Sequence, residues 1–129
     1  MTFADGRVVR PWDDFYDWLN GKWADGFCPI GPYLVTADEI DDVRDLSIQL
    51  TVNGQVRQDS NTANMIFDVY ELVSFLSHIM TLQPGDIIAT GTPAGVGFAR
   101  TPPEFLAPGD IVSCTVEGIG TIRNRIAGD

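Results

Sequence analysis

The sequence predicts an α+β fold, mostly β, in a single domain covering residues 1–129. Three observations predict it. The 129 residues fall within the roughly 100–200 of one ordinary domain, and no linker divides them. Thirteen Gly and eight Pro exceed what a helical bundle uses and mark many turns. Strand-like runs outnumber segments of helical period by about seven to two.

The first ten residues suit a short strand with a turn at Asp5-Gly6. Pro11–Leu19 reads as a helix, with Pro11 at its first position and Asp13 and Asp14 complementing the dipole. Gly21 stops it, and Trp12, Phe15, Tyr16 and Leu19 form one packing face. Turn residues crowd Gly21–Pro32, followed by a strand at Tyr33–Thr36 and an acidic turn at Ala37–Asp42. Leu46–Val52 alternates apolar and polar residues, as a half-buried strand does. Asn53-Gly54 then signals a hairpin, because both central positions of a type I′ turn need positive φ. Val56–Asp59 is the return strand.

A second helix is expected at Val69–Met80. Asp68 caps it, Glu71 completes a capping box, and Phe67 is placed to staple onto Leu72. His78 lacks an orienting carboxylate, so it reads as a surface or core-edge residue, not a general base. Leu82-Gln-Pro-Gly-Asp-Ile-Ile echoes in Leu106-Ala-Pro-Gly-Asp-Ile-Val. Each copy suits a type II turn leading into a strand, one turn used twice. The last strands are Ile111–Glu117 and Gly120–Ile126.

The formal net charge is -10, from eighteen acidic and eight basic residues. That balance repels phosphate backbones and excludes nucleic acid as a partner, while a divalent cation held by carboxylates stays open. An acidic surface or a halophilic source gives the same balance. Cys28 and Cys114 lack metal-ligand spacing and read as free thiols in a reducing compartment. No apolar run approaches the roughly 20 residues of a membrane span, and the amino end lacks a signal-peptide core. A soluble, cytoplasmic protein without membrane partners is expected.

Chemistry concentrates at two places. Pro84–Gly97, PGDIIATGTPAGVG, reads as a buried strand, Ile87-Ile88-Ala89, emerging at Thr90 into a glycine-rich loop. Gly91, Gly95 and Gly97 let the backbone approach whatever lies above it. Successive N–H groups there can nest an anionic oxygen, and the Thr92 hydroxyl adds a donor. No G-K-[ST] follows, which excludes a P-loop, and no evident helix follows, which excludes a dinucleotide fingerprint. From its residues alone the loop serves equally as an ordinary turn or a ligand contact. The only lysine, Lys22, stands in G-K-W-A-D, where a tight, partly buried corner would let its ammonium stabilise a carboxylate or enolate. It reads alternatively as a surface charge ending the first helix.

In order, the segments GKWADGFCPIGPYLVTADEI, LTVNGQVRQDSNTANMIF, MTLQPGDIIATGTPAGVG and PPEFLAPGDIVSCTVEGIGTIRNRI resemble the carboxy-terminal half of fumarylacetoacetate hydrolase-family proteins. The likeness covers about Gly21–Ile126 and is nearest to bacterial 2-hydroxyhepta-2,4-diene-1,7-dioate isomerases and acylpyruvate hydrolases. It implies a mixed β-sandwich roll, usually a homodimer, with Mg²⁺ or Mn²⁺ at an open site. The implied substrates are 2-oxo acids and 1,3-dicarbonyl compounds, processed through an enolate by C–C hydrolysis, decarboxylation or tautomerisation. Lys22 matches the family's active-site lysine, and Gly91-Thr92 match its substrate-contacting loop.

The sequence also departs from that pattern. The family's E-x-E metal ligands are absent from the 129 residues. Under the resemblance, Asp5 is the candidate for the family's aspartate ligand, with Arg10 as the arginine after it. The bulky residue of the G-K motif, Trp23, falls one place early. The resemblance therefore implies the carboxy-terminal portion of a catalytic domain, incomplete at its amino end and inactive by itself. The alternatives are a non-catalytic binding or assembly subunit, or one half of a split enzyme whose partner chain supplies the rest.

Overall fold

A computed structural model describes Lys22 and residues 24–128. The chain falls into two compact units, Met1–Ile30 and Gly31–Asp129. In the first, Lys22 sits in a turn, and the following residues turn again where Phe27 N–H donates to the Ala24 carbonyl at 3.0 Å. The strand at residues 1–10, the helix at Pro11–Leu19, Arg10, Trp23 and the proposed ligand Asp5 lie outside the described residues.

The second unit is organised by the hairpin. Strands β1 (Ser47–Val52) and β2 (Gln55–Asn61) pair antiparallel from Ser47↔Asn61 to Val52↔Gln55. Between them Asn53 has φ 52 and Gly54 φ 79, the left-handed pair that the turn demands. Strand β3 (Ile111–Val116) pairs with the other side of β1, and β4 (Gly120–Arg125) follows it. The sheet is antiparallel, open, and ordered β2-β1-β3-β4. Register places Ile48 opposite Val116, Leu50 opposite Cys114, and Val52 opposite Val112, so one face is apolar. Two pairs of reciprocal bonds lock the far end of β1. Leu46 N–H donates to Thr62 Oγ1 at 2.8 Å while Thr62 N–H donates back to Leu46, and Ser47 and Glu117 exchange bonds in the same way.

The capping box is present in full. Asp68 Oδ1 accepts from Glu71 N–H at 2.8 Å, and Glu71 Oε2 accepts from Asp68 N–H at 2.9 Å. Helix α1 (Val69–Ser77) nevertheless ends three residues before the expected Met80. The Ser77 hydroxyl donates to the Ser74 carbonyl at 2.8 Å, and His78 Nδ1 lies 2.7 Å from the same oxygen. Side chains thus occupy a carbonyl the next turn would need, and the chain tightens to three-residue bonds at His78 and Ile79.

Two expected strands are not formed. Tyr33–Thr36 and Ile87–Ala89 carry no ladder, and Leu34 and Ile87 are 95% and 69% exposed. Apolar composition suits a strand only where a neighbouring strand accepts its backbone groups. Among the described residues none does so for these segments, leaving four strands and one α-helix there. No described residue is fully buried, and Ile66 is 91% exposed.

The two Pro-Gly-Asp echoes fold alike. Asp86 N–H donates to Gln83 O and Asp110 N–H to Ala107 O, both at 3.0 Å, with Gly85 and Gly109 at positive φ. In each turn the aspartate carboxylate also accepts the first residue's N–H at 2.8 Å.

Candidate functional site

Strand β2 is the outermost strand beside the glycine loop, and it carries a bulge. Leu50 faces Gln58 while Thr51 faces Val56, so Arg57 is the extra residue. Its carbonyl is thereby available to a side chain, and Arg100 Nη2 donates to it at 2.8 Å. Arg100 Nε donates to the Gly95 carbonyl at 3.2 Å. The Arg57 guanidinium meets Glu104 Oε2 at 2.9 Å, and Glu104 N–H donates to Gly97 O at 3.0 Å. Residues 92–106 therefore form a strap tied to β2.

The glycines of the loop divide by what faces them. A Cβ on Gly95 would collide with the Arg57 carbonyl, and one on Gly97 with the Glu104 carbonyl. These two glycines admit the protein's own backbone, where the sequence reading left room for a ligand. Gly91 differs: its φ is +102 and, among the described residues beyond its chain neighbours, no atom lies within 4 Å of a Cβ built there. Beside it, Thr92 is exposed and its Oγ1 accepts from Gln58 Nε2 at 2.9 Å. The same nitrogen donates to Pro93 O at 2.7 Å. Gly91 and Thr92 thus stand on an exposed loop segment held by Gln58 of β2.

Beneath the strap lies a cavity of about 430 Å³ whose walls include Leu50, Val52 and Val112 of the apolar face. Gln58 and Gly95 line it; Gly91 and Thr92 do not. Lys22 belongs to the first unit and is exposed there. Gln58, Arg57, Arg100 and Glu104 were not among the residues the sequence singled out. The close-approach glycines at 95 and 97 were the available signal, but they do not reveal what approaches. Among the described residues, no three His, Cys, Asp or Glu side chains are placed to hold a metal ion. No helix there is long and apolar enough to cross a membrane.

Comparison with known proteins gives one result. The family described as fumarylacetoacetate (FAA) hydrolase, C-terminal, matches residues 4–127. The mitochondrial oxaloacetate tautomerase FAHD2A of Bos taurus is 52% identical over 129 residues, covering 98% of this chain and 41% of that protein. The fumarylacetoacetate hydrolase of Exiguobacterium antarcticum superposes with a TM-score of 0.78 at 45% identity, over 81% of this chain and 38% of its own. Maleylpyruvate hydrolase from Sphingobium sp. SYK-6, solved with manganese(II) and pyruvate, gives 0.73 at 39% identity, over 81% and 37%. The chain spans about two fifths of the length of these relatives.

Proposed function

This chain belongs to the fumarylacetoacetate hydrolase family, and from that premise we propose that the protein carrying it acts on 2-oxo acids or 1,3-dicarbonyl compounds. The family's members include an oxaloacetate tautomerase and hydrolases. The proposed reaction passes through an enolate, by C–C hydrolysis, decarboxylation or tautomerisation. Gly91 and Thr92 hold an anionic oxygen of the substrate through backbone N–H groups and the hydroxyl. The Lys22 ammonium offsets the charge that develops on the enolate. The observation that carries the reading is the exposed Gly91-Thr92 segment of a loop pinned to β2 by Gln58.

A bound Mg²⁺ or Mn²⁺ supplies Lewis-acid polarisation of a 2-oxo acid, and a relative solved with manganese and pyruvate supports that cofactor. The described residues do not provide its cage, and the proposed ligand Asp5 lies outside them. Ligands from a partner chain, or a homodimer, belong to the proposal, as does a cytoplasmic location.

The test is oxaloacetate enol–keto interconversion followed by ultraviolet absorbance, with Mg²⁺ present. The chain is assayed alone and with a polypeptide matching the remaining part of the relatives. Acceleration that falls on Lys22→Ala and on Thr92→Val supports the reading. No acceleration in either mixture, with oxaloacetate or an acylpyruvate, favours the binding or assembly subunit instead.

A further inference from the structure

Gln58 makes two contacts whose chemistry fixes a third. Its amide nitrogen lies 2.7 Å from Pro93 O and 2.9 Å from Thr92 Oγ1. A carbonyl oxygen can only accept, so the end of the amide facing Pro93 must be the NH₂ group. That group has one proton for each contact. The Thr92 oxygen is therefore an acceptor from Gln58, and its own O–H must point elsewhere. Thr92 is exposed, and a Cβ on Gly91 beside it would meet no described atom beyond its chain neighbours. The remaining direction for the hydroxyl proton is away from β2.

Two features keep this geometry in place. The bulge at Arg57 sets the register at which Gln58 meets the strap. Arg100, bonded to both Arg57 O and Gly95 O, holds strap and bulge together.

We propose that Gln58 is a positioning residue: by donating to Pro93 O and Thr92 Oγ1 together, it makes the Thr92 hydroxyl an obligate donor toward an anionic oxygen of the ligand. The proposal rests on the reading of Gly91-Thr92 as the substrate contact. It assigns the hydroxyl's polarity to a strand residue that does not itself touch substrate. A glutamate at this position could only accept when ionised. It would draw the Thr92 proton toward β2 and present lone pairs to the ligand.

The test has two arms on the full chain. In the first, without ligand, NMR couplings and methyl relaxation report the Thr92 χ1 rotamer. A single rotamer is expected in the wild type and in Gln58→Glu, and averaging in Gln58→Leu; a single rotamer in Gln58→Leu overturns the clamp. In the second, pyruvate is titrated with Mg²⁺ into the full chain mixed with a polypeptide matching the remaining part of the relatives. Thr92→Val and Gln58→Glu should each weaken binding about tenfold, the worth of one hydrogen bond to a charged group. Thr92→Ser should retain affinity, and the double variant Q58E/T92V should bind no more weakly than Thr92→Val alone. Unchanged affinity in Gln58→Glu, or losses that multiply in the double variant, overturn the polarity assignment. If wild-type Gly91 and Thr92 give no response to pyruvate, the substrate reading fails, while the rotamer arm still decides the clamp.

Discussion

Asn53 makes three bonds to Asp110 and Ile111, where the second Pro-Gly-Asp turn enters β3. Its Nδ2 donates to Asp110 Oδ1 at 2.8 Å, its Oδ1 accepts from Ile111 N–H at 2.9 Å, and its N–H donates to Ile111 O at 2.8 Å. One residue thus closes the β1–β2 hairpin and aligns the entry to β3. Replacing it with alanine removes two side-chain bonds and leaves a Cβ-bearing residue at φ 52 without local compensation. Asn53→Ala should cost about 2–3 kcal/mol from those two sources. Urea unfolding should show a lower midpoint with unchanged slope.

Acid should loosen the same junction. The bond from Ala107 N–H, and then that from Asn53, hold the Asp110 carboxyl below its ordinary range. The Ser47 N–H does the same for Glu117 across the sheet end. Both folded values are depressed, so the unfolded chain binds more protons, and these groups stabilise the fold above their unfolded values of about 3.9 and 4.3. The contribution disappears as pH falls through the folded values. Unfolding midpoints should hold down to roughly pH 5 and drop below about pH 4, and Asp110→Asn should flatten that drop.

Alanine scanning of the loop glycines should separate packing from conformation. Gly97→Ala and Gly95→Ala place a methyl against the carbonyls of Glu104 and Arg57. Gly91→Ala meets only its positive φ. Strain at Gly91 should cost about 1–2 kcal/mol, and the two clashing variants more. Melting temperatures of the three variants check the order.

The two thiols should react at different rates. Cys28 is exposed, whereas Cys114 is half-buried on β3 and burial pushes its thiol pKa up. Because the thiolate is the nucleophile, Ellman's reagent near pH 8 should give two phases, the slower removed by Cys114→Ser. A single fast phase of two equivalents would contradict the placement of Cys114.

Apolar side chains left in solvent predict association. Leu34 at 95%, Ile66 at 91% and Phe105 at 74% exposure exceed what scattered surface apolar residues need. Light scattering after size exclusion should give a mass above 14.1 kDa. A monodisperse monomer that melts cooperatively is the contrary result.

Local chemistry made part of this protein legible in its sequence. Asn53-Gly54, the Asp68–Glu71 box and the paired Pro-Gly-Asp turns each depend on residues within a few positions of one another, so composition and spacing determined them. Glycine spacing likewise marked Gly91, Gly95 and Gly97. Other features required distant partners. Ile87–Ala89 has a strand's composition but no ladder, because a strand exists only where another accepts its bonds. That Gly95 faces the Arg57 carbonyl depends on a bulge produced by pairing β1 with β2. Gln58 meets Thr92 the same way, through a contact 34 residues distant in the chain. Tertiary structure alone decided these, since register and close approach belong to pairs of segments and not to either one.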